Sequence, residues 1–247
     1  MTPGARLSAA ITVLDRILEG QPAEKALTNW GRASRFAGSG DRAAVRDLVF
    51  DGLRCRRSFA ALGGSMTGRG IILGGLRAAG TDPAPLFTGE DHAPPPLEAG
   101  DAGDPATGAA ALDCPDWLMP DLAASLGPDH DAVLRALQAR APVFLRVNTG
   151  KTDVARAIAA LAADDVPAQP HPLATTALQV TGNARKLAQS RAYLTGLVEL
   201  QDAASQAVVE ALPLRDGMRV LDYCAGGGGK TLAMAARARL TLVAMTP

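Results

Sequence analysis

The chain has 247 residues, enough for one or two ordinary domains with packed cores, and 47% of them are hydrophobic. Its 25 Lys and Arg offset 25 Asp and Glu, and neither a long apolar run nor a charged-then-apolar leader is present, so we expect no membrane span and no signal peptide. The three cysteines, Cys55, Cys114 and Cys224, are far apart and form no Cys-x-x-Cys pair. This usage argues against a disulfide framework or a zinc site and predicts a cytoplasmic protein without a bound metal.

The zero net charge hides a segregated pattern. Residues 1–80 carry twelve Lys and Arg against six Asp and Glu, residues 81–131 carry eleven acids and no Lys or Arg, and residues 132–247 carry thirteen bases against eight acids. Basic blocks of this kind suit a phosphate backbone, although solvated helix faces give the same composition. The pattern therefore favours a nucleic acid as partner but does not require one.

Apolar side chains recur at helical spacing through the first 60 residues. A first helix is predicted to begin at Thr2 and Pro3, with Thr2 as its N-cap. A second helix is predicted over residues 23–32, and a third begins after Gly40 with Val45 on its apolar face. These segments predict that the N-terminal domain is all-α. With the strands predicted further along the chain, the fold class is α/β.

The third helix carries arginines that lie mostly off its apolar face, among them Arg42 and Arg46. Asp41-Arg42 followed by Val-Arg-Asp-Leu-Val-Phe-Asp-Gly-Leu-Arg at residues 45–54 resembles the RNA-binding helical domain of the antitermination factor NusB. The resemblance implies that residues 1–80 form a NusB-like bundle in which Arg42 and Arg46 contact RNA. A generic helical bundle with an arginine-rich surface accounts for the same residues and stays open as the alternative.

Residues 81–111 are rich in Pro, Gly, Ala, Asp and Glu and show no helical or strand periodicity. Such a composition predicts a flexible or loosely packed acidic linker. Two helices are expected after it, the first capped by Asp116, with Trp117 and Leu137 among their buried side chains.

A small α/β unit is predicted next. Its strands are expected at residues 143–149, 177–181 and 197–200, its helix at residues 153–163 with Thr152 as cap, and a turn at residues 167–172. A further helix over residues 203–212 is predicted to begin at Asp202, whose carboxylate can cap it.

The most specific stretch runs from Arg219 to Thr231 and reads Arg-Val-Leu-Asp-Tyr-Cys-Ala-Gly-Gly-Gly-Gly-Lys-Thr. A predicted strand ends at Asp222, four glycines permit a tight turn and close approach to a ligand, and strong helix formers follow. An ordinary tight turn is one interpretation. A P-loop is another, but it requires a glycine six residues before Lys230, where this chain has Cys224. The third is a nucleoside-methionine site, in which Asp222 holds the ammonium of S-adenosylmethionine and the turn amides hold its carboxylate.

This stretch resembles the first S-adenosylmethionine motif of the RsmB/Nop/Sun family of RNA cytosine-5 methyltransferases, with Gly226-Gly227 in place of the usual Ala-Pro. The resemblance implies S-adenosylmethionine as cofactor, rRNA as the substrate, and a Rossmann-like methyltransferase domain that begins in residues 199–247. The implied cofactor-binding residues are Asp222, Cys224, Ala225, Gly226, Gly227, Gly228, Gly229 and Lys230.

Three other segments resemble the family's pre-catalytic region. They are Pro115-x-Trp117-Leu118, residues 141–151 and residues 200–206, with Gly150 where the family usually has Leu. In the family this region has an RNA-recognition-like fold on which the substrate lies, which implies such a fold in residues 112–198. The implied RNA-contacting residues are Arg146, Asn148 and Lys151. For the first two, capping of a strand edge is the open alternative.

The family takes its nucleophilic cysteine, which adds to cytosine C6, from motifs after the cofactor loop, and none of the three cysteines here matches them. The second strand of the expected sheet ends in Ala244-Met245-Thr246, without the acid that would hold the ribose hydroxyls. We therefore expect a truncated, monomeric methyltransferase chain that is inactive as it stands and has no catalytic residue up to position 247. The alternative from another class is a non-catalytic RNA-binding module.

Overall fold

The computed structural model describes residues 1–246, so Pro247, the last residue of the predicted methyltransferase segment, lies outside the described part. Within that part, no helix is both long and apolar enough to cross a membrane. The chain divides into two compact units, Met1–Arg140 and the residues from Ala141 onward. This boundary lies between the predicted divisions after residues 111 and 198, and the first unit includes residues 81–140, beyond the predicted division after residue 80.

The first unit is built from helices and irregular segments. Its α-helices are α1 (Pro3–Leu18), α2 (Ala23–Ala33), α3 (Ser39–Arg54), α4 (Arg56–Leu62), α5 (Gly68–Ala78), α6 (Gly108–Ala111), α7 (Met119–Leu126) and α8 (His130–Gln138). The first three confirm the helical periodicity read from the sequence. Thr2 caps α1 as predicted, because its hydroxyl accepts a hydrogen bond of 3.2 Å from the Ala5 amide.

The core of this unit lies where α1, α3 and α5 meet, and it contains the fully buried side chains of Leu14, Val45 and Ile71. The α4 and α5 helices approach closely because α5 carries glycines. A Cβ at Gly74 would lie 1.8 Å from the carbonyl oxygen of Phe59 on α4, which is an impossible contact. Glycine is therefore required at this crossing.

Residues 81–111 are not the loosely packed linker that their composition predicted. Phe87 is 2% exposed and belongs to the helical core, and Arg69 on α5 lies over its ring at 4.9 Å. Arg69 also donates two hydrogen bonds, of 2.9 and 2.7 Å, to the carboxylate of Asp101. The ion pair and the buried ring hold residues 81–111 against the helices of the first unit. Contacts of this kind cannot be predicted from the periodicity of the sequence.

The segment after residue 111 also differs from its prediction. Trp117 is 76% exposed and Leu137 is 67% exposed, so the prediction that both are buried is wrong. Their helices are short and bury a different set, centred on Leu112 and Leu134. Asp116 caps no helix; it forms an ion pair of 2.6 Å with Arg57 on α4.

The second unit contains two sheets. Its strands are β1 (Val143–Val147), β2 (Ala168–Pro170), β3 (Ala177–Val180), β4 (Val198–Leu200), β5 (Arg219–Asp222) and β6 (Thr241–Ala244), and its helices are α9 (Val154–Ala163), α10 (Arg191–Leu194), α11 (Ala203–Glu210) and α12 (Gly229–Ala235). The first sheet is antiparallel in the order β2-β3-β1-β4, and β5 pairs with β6 in parallel. Leu145 of the central strand β1 faces Leu178 on one side and Leu200 on the other.

Two local predictions in this unit are corrected. The α9 helix is capped by Asp153, whose carboxylate accepts from the Arg156 amide at 2.8 Å, and not by Thr152. Strand β2 lies inside residues 167–172, which were predicted as a turn. The three prolines of that range hid a short edge strand, a position where proline is tolerated. The predicted cap of α11 is confirmed, since Asp202 accepts from the Ala204 amide at 2.9 Å.

The contribution of the Arg69–Asp101 ion pair to the stability of the fold should depend on pH. Hydrogen bonds from Arg69 hold the pKa of Asp101 below its ordinary value. Because the folded-state pKa is lowered, the pair stabilises the fold above the unfolded-state pKa of about 4, and this stabilisation is lost as the pH falls through the folded-state pKa. We expect Asp101→Asn to lower the free energy of unfolding by about 2 kcal/mol at pH 7.

The difference between wild type and Asp101→Asn should shrink in urea titrations as the pH falls from about 4 towards 2. Asp104→Asn is the matched control, since Asp104 is an exposed acid in the same segment and should have little effect. A loss that is equal at all pH values, or equal in the control, would contradict the assignment.

Candidate functional site

The glycine motif lies where a parallel pair of strands meets a helix. Strand β5 ends at Asp222, residues 223–228 form the turn (the glycine turn hereafter), and α12 begins at Gly229. One face of the strand pair packs against α11 and α12, with Val220 and Met234 in the shared cluster. On the opposite face, Leu221 and its partner Val243 are about half exposed.

The glycine turn needs glycine at two positions. Gly226 and Gly228 have φ angles of 54° and 80°, in the left-handed region that side chains disfavour. The turn is closed by a 2.9 Å hydrogen bond from the Gly228 amide to the Ala225 carbonyl. A Cβ added at Gly226, Gly227 or Gly228 would meet no atom within 4 Å. The backbone of the turn thus borders open space, into which it can accept a ligand.

Asp222 is half-buried at the end of β5. One carboxylate oxygen, Oδ2, accepts a 2.6 Å hydrogen bond from the hydroxyl of Thr231 on α12, and the backbone carbonyl accepts from the Met245 amide at 2.9 Å. The other oxygen, Oδ1, has no hydrogen-bond partner within residues 1–246. The carboxylate is therefore held in place by its protein contacts and retains one oxygen for a cationic group.

Gln201 lies beside the start of α12. Its Nε2 would be 3.4 Å from a Cβ built on Gly229, and its Oε1 is buried without a hydrogen-bond partner. A buried amide oxygen without a donor is costly, so this atom is suited to a donor from a ligand or a bound water. Gln201 was not predicted as a site residue, and the only sequence signal for it is its place in the segment of residues 200–206.

The remaining predicted cofactor residues flank the same turn. Cys224 and Lys230 are exposed, and Ala225 is half-buried, with its amide bonded to the Met245 carbonyl at 2.9 Å. The turn is therefore tied to the chain just after β6 as well as to β5. No group of acids, histidines and cysteines within the described residues is arranged to hold a metal ion.

The other two cysteines lie in the first unit. Cys55 donates to the Gln138 carbonyl at 3.6 Å, and burial raises its pKa to about 11. The thiol of Cys55 is therefore protonated at neutral pH, which makes it a poor nucleophile. Cys114 is buried and its sulfur lies 3.6 Å from the Pro115 carbonyl.

Both candidate RNA contacts on α3 make contacts within the first unit. Arg42 donates to the Ala37 carbonyl at 2.9 Å and to the Ser34 carbonyl at 3.4 Å. Arg46 is half exposed, pairs with Glu24 at 2.5 Å, and lies over the Phe50 ring at 5.1 Å. Arg42 thus supports the loop before α3, whereas Arg46 has a surface position.

The candidate RNA contacts in the second unit differ from one another. Arg146 is 3% exposed and pairs with Glu199 on β4, so the structure assigns it to the interior and not to an exposed RNA-contacting surface. Asn148 donates to the Gly196 carbonyl at 3.2 Å, which organises a loop. Lys151 is exposed and donates to the Thr195 carbonyl at 2.9 Å.

Gln206 on α11 was not predicted to have a structural or functional role. It is 1% exposed, and its Nε2 donates to the carbonyls of Leu145 at 3.2 Å and Gln201 at 3.0 Å. Its Oε1 accepts from the Thr176 hydroxyl at 2.9 Å. One buried amide therefore joins β1, the end of β4 and α11, and through Gln201 it reaches the start of α12.

These features define a mixed α/β protein in which an antiparallel four-stranded sheet precedes a parallel strand pair with a glycine turn. A family model described as the ferredoxin-like domain of RsmF/B-like methyltransferases matches residues 114–185. The crystal structure of PH0851 resembles this chain with a TM-score of 0.62 and 20% sequence identity, over 96% of this chain and 61% of that one. At that identity, the likeness shows the fold alone.

Curated relatives are named ribosomal RNA small subunit methyltransferase B. The protein from Xanthomonas campestris pv. campestris is 34% identical over 116 residues, which are 47% of this chain and 26% of the relative. The protein from Yersinia pestis bv. Antiqua is 30% identical over 117 residues, 47% of this chain and 27% of the relative. The chain thus spans about a quarter of the length of the curated relatives that it matches. The family model and these relatives support the resemblance to the RsmB/Nop/Sun family that the motifs indicated.

The role of the Gln206 amide can be tested by replacement with methionine, which keeps the length of the side chain and removes its polar atoms. We expect Gln206→Met to lower the free energy of unfolding by about 3 kcal/mol, because three polar groups in or near the interior lose their partner. Urea denaturation followed by circular dichroism measures the change. Gln189→Met, at an exposed position of the same unit, should change stability by less than about 0.5 kcal/mol. Equal stabilities of the two variants would refute the proposed role.

Proposed function

We propose that this chain is part of an S-adenosylmethionine-dependent RNA cytosine-5 methyltransferase that acts on rRNA, and that the glycine turn holds its cofactor. The proposal rests above all on one observation, the open glycine turn at the end of β5 beside a carboxylate with an uncommitted oxygen. The match of residues 114–185 to the RsmF/B-like family model and the similarity to relatives named ribosomal RNA small subunit methyltransferase B support it. In this proposal residues 1–80 are NusB-like, residues 112–198 are RNA-recognition-like, and residues 199–247 begin a Rossmann-like domain.

The residues around the turn fit the polar end of S-adenosylmethionine. The amides of Gly226 and Gly227 have no acceptor within the described residues and suit a carboxylate. Asp222 Oδ1 suits an ammonium, and the buried Gln201 Oε1 can accept from a further donor. The cofactor, when bound, supplies an activated methyl group.

RNA is proposed as the substrate because the curated relatives are named as rRNA methyltransferases. Of the three predicted RNA contacts in the second unit, the exposed Lys151 is the best candidate for a phosphate contact, since its ammonium makes one hydrogen bond and keeps further donors for an anion. Asn148 would act by holding the loop that leads to it. Arg146 would act only through the position of β1, because it is buried.

Methylation at cytosine C5 requires that a thiolate first add to C6, since C5 is otherwise a poor nucleophile. Cys55 and Cys114 do not suit this role, because the pKa of Cys55 is raised by burial and Cys114 is buried. Cys224 is exposed, but it belongs to the turn that is proposed to hold the cofactor. We therefore propose that the 247-residue polypeptide binds S-adenosylmethionine without transferring its methyl group.

Gly227 offers a selective test of the cofactor site. Its φ is not in the left-handed region and a side chain there would meet no protein atom within 4 Å, so Gly227→Leu should preserve the fold while filling the space. We expect this variant to weaken S-adenosylmethionine binding more than about tenfold in isothermal titration, equivalent to 1.4 kcal/mol.

Gly40→Leu is the matched control, because Gly40 on α3 also has open space and no left-handed φ. It should bind the cofactor like the wild type. Cofactor binding that is unchanged in Gly227→Leu, or absent from the wild type, would overturn the assignment of the site.

A second prediction concerns turnover. Incubation of the 247-residue polypeptide with rRNA and S-adenosylmethionine should produce no 5-methylcytosine above background, because no suitable thiol is present. Mass spectrometry of digested RNA measures the product. Formation of 5-methylcytosine that disappears in Cys224→Ser would show that the turn cysteine is the nucleophile and would refute this part of the proposal.

A further inference from the structure

The loop between α2 and α3 presents an exposed aromatic ring on a fixed support. Phe36 is 77% exposed and follows the exposed Arg35, while the flanking residues Ser34 and Ala37 are buried. The guanidinium of Arg42 donates to the carbonyls of both flanking residues, at 3.4 and 2.9 Å. The two-residue tip is therefore held at both ends by one side chain, and its exposed ring has no role in the core.

A basic cleft lies between the same two helices. It has a volume of about 370 Å³, and its lining includes Trp30 and the arginines Arg32, Arg42 and Arg46. The side chain of Arg32 is exposed and forms no hydrogen bond or ion pair with any residue from 1 to 246. The acids nearby are already paired, Glu24 with Arg46 and Asp41 with Arg6 and the N-terminal ammonium. The cleft and the loop tip therefore present uncompensated positive charge beside an exposed aromatic ring.

We propose that this cleft and loop tip bind unpaired nucleotides of RNA. Arg32 and Arg35 contact phosphates, Phe36 stacks on a base, and Arg42 is a positioning residue that sets the direction of the ring. An exposed ring stacks well only on a base whose face is free, which is the case in single strands and loops but not inside a duplex. The inference rests on the proposed function in that RNA is the partner, but it assigns a separate site in the first unit.

The test uses fluorescence anisotropy of the full 247-residue chain with a fluorescein-labelled single-stranded RNA of about 12 nucleotides, and with the same strand annealed to its complement. We expect Phe36→Ala to weaken single-strand binding by about 5- to 100-fold, with little change for the duplex. Phe36→Trp should retain binding. Met66→Ala, which removes another exposed apolar side chain of the same unit, should bind like the wild type.

Charge contributions are separated by salt titration. Each of Arg32→Gln and Arg35→Gln should reduce the slope of log affinity against log salt by about one. Arg56→Gln is the control, because Arg56 is an exposed arginine on α4 without an ion-pair partner among the described residues. Its slope should match the wild type.

Two results would overturn the inference. If the wild type binds single-stranded RNA and Phe36→Ala binds equally well, the ring does not stack on a base and the inference fails, while the proposed function stands. If the wild type binds no RNA, both this inference and the proposed RNA substrate fail. The titration with S-adenosylmethionine still tests the glycine turn independently of RNA binding.

Discussion

The second unit depends on the buried side-chain amide of Gln206. It forms hydrogen bonds with the Leu145 carbonyl on β1, the Gln201 carbonyl after β4 and the hydroxyl of Thr176. These bonds connect α11 to the antiparallel sheet and provide partners for polar groups in the interior. The same helix, α11, packs Val209 against α12. A single helix therefore fixes the central strand of the antiparallel sheet relative to the glycine turn, and it brings Gln201 against the start of α12.

Much of the fold follows from local patterns. The sequence predicted the apolar faces of α1 to α3, the strands β1, β3 and β4, and the caps at Thr2 and Asp202. These features were predictable because periodicity and capping depend on residues that lie close together in the chain. The packing of residues 81–111 was not predicted from local patterns. It depends on Arg69 meeting Asp101, 32 positions later, and on the burial of Phe87, contacts that appear only when the chain is folded.

Some residues of the candidate site were likewise predicted from local patterns, and others were not. Asp222 and the glycines were found from sequence because strand, turn and helix are consecutive, whereas the contribution of Gln201 requires β4 and α12 to meet in space. The burial of Arg146 was not predicted, for a physical reason. Its strand is covered on one face by α9 and α10 and on the other by α11, through Phe144 and Ala203, so even the alternating polar position of β1 is interior.

The central claim is that the glycine turn and Asp222 form the cofactor site. The most direct measurement is a titration of the ¹⁵N-labelled chain with S-adenosylmethionine, followed by two-dimensional amide spectra. If the turn holds the cofactor, we expect saturable shifts at Gly226, Gly227 and Gly228 and at the side-chain amide of Gln201, with little change in the helical unit. Saturable shifts confined to other residues, or no shifts at millimolar cofactor, would contradict it.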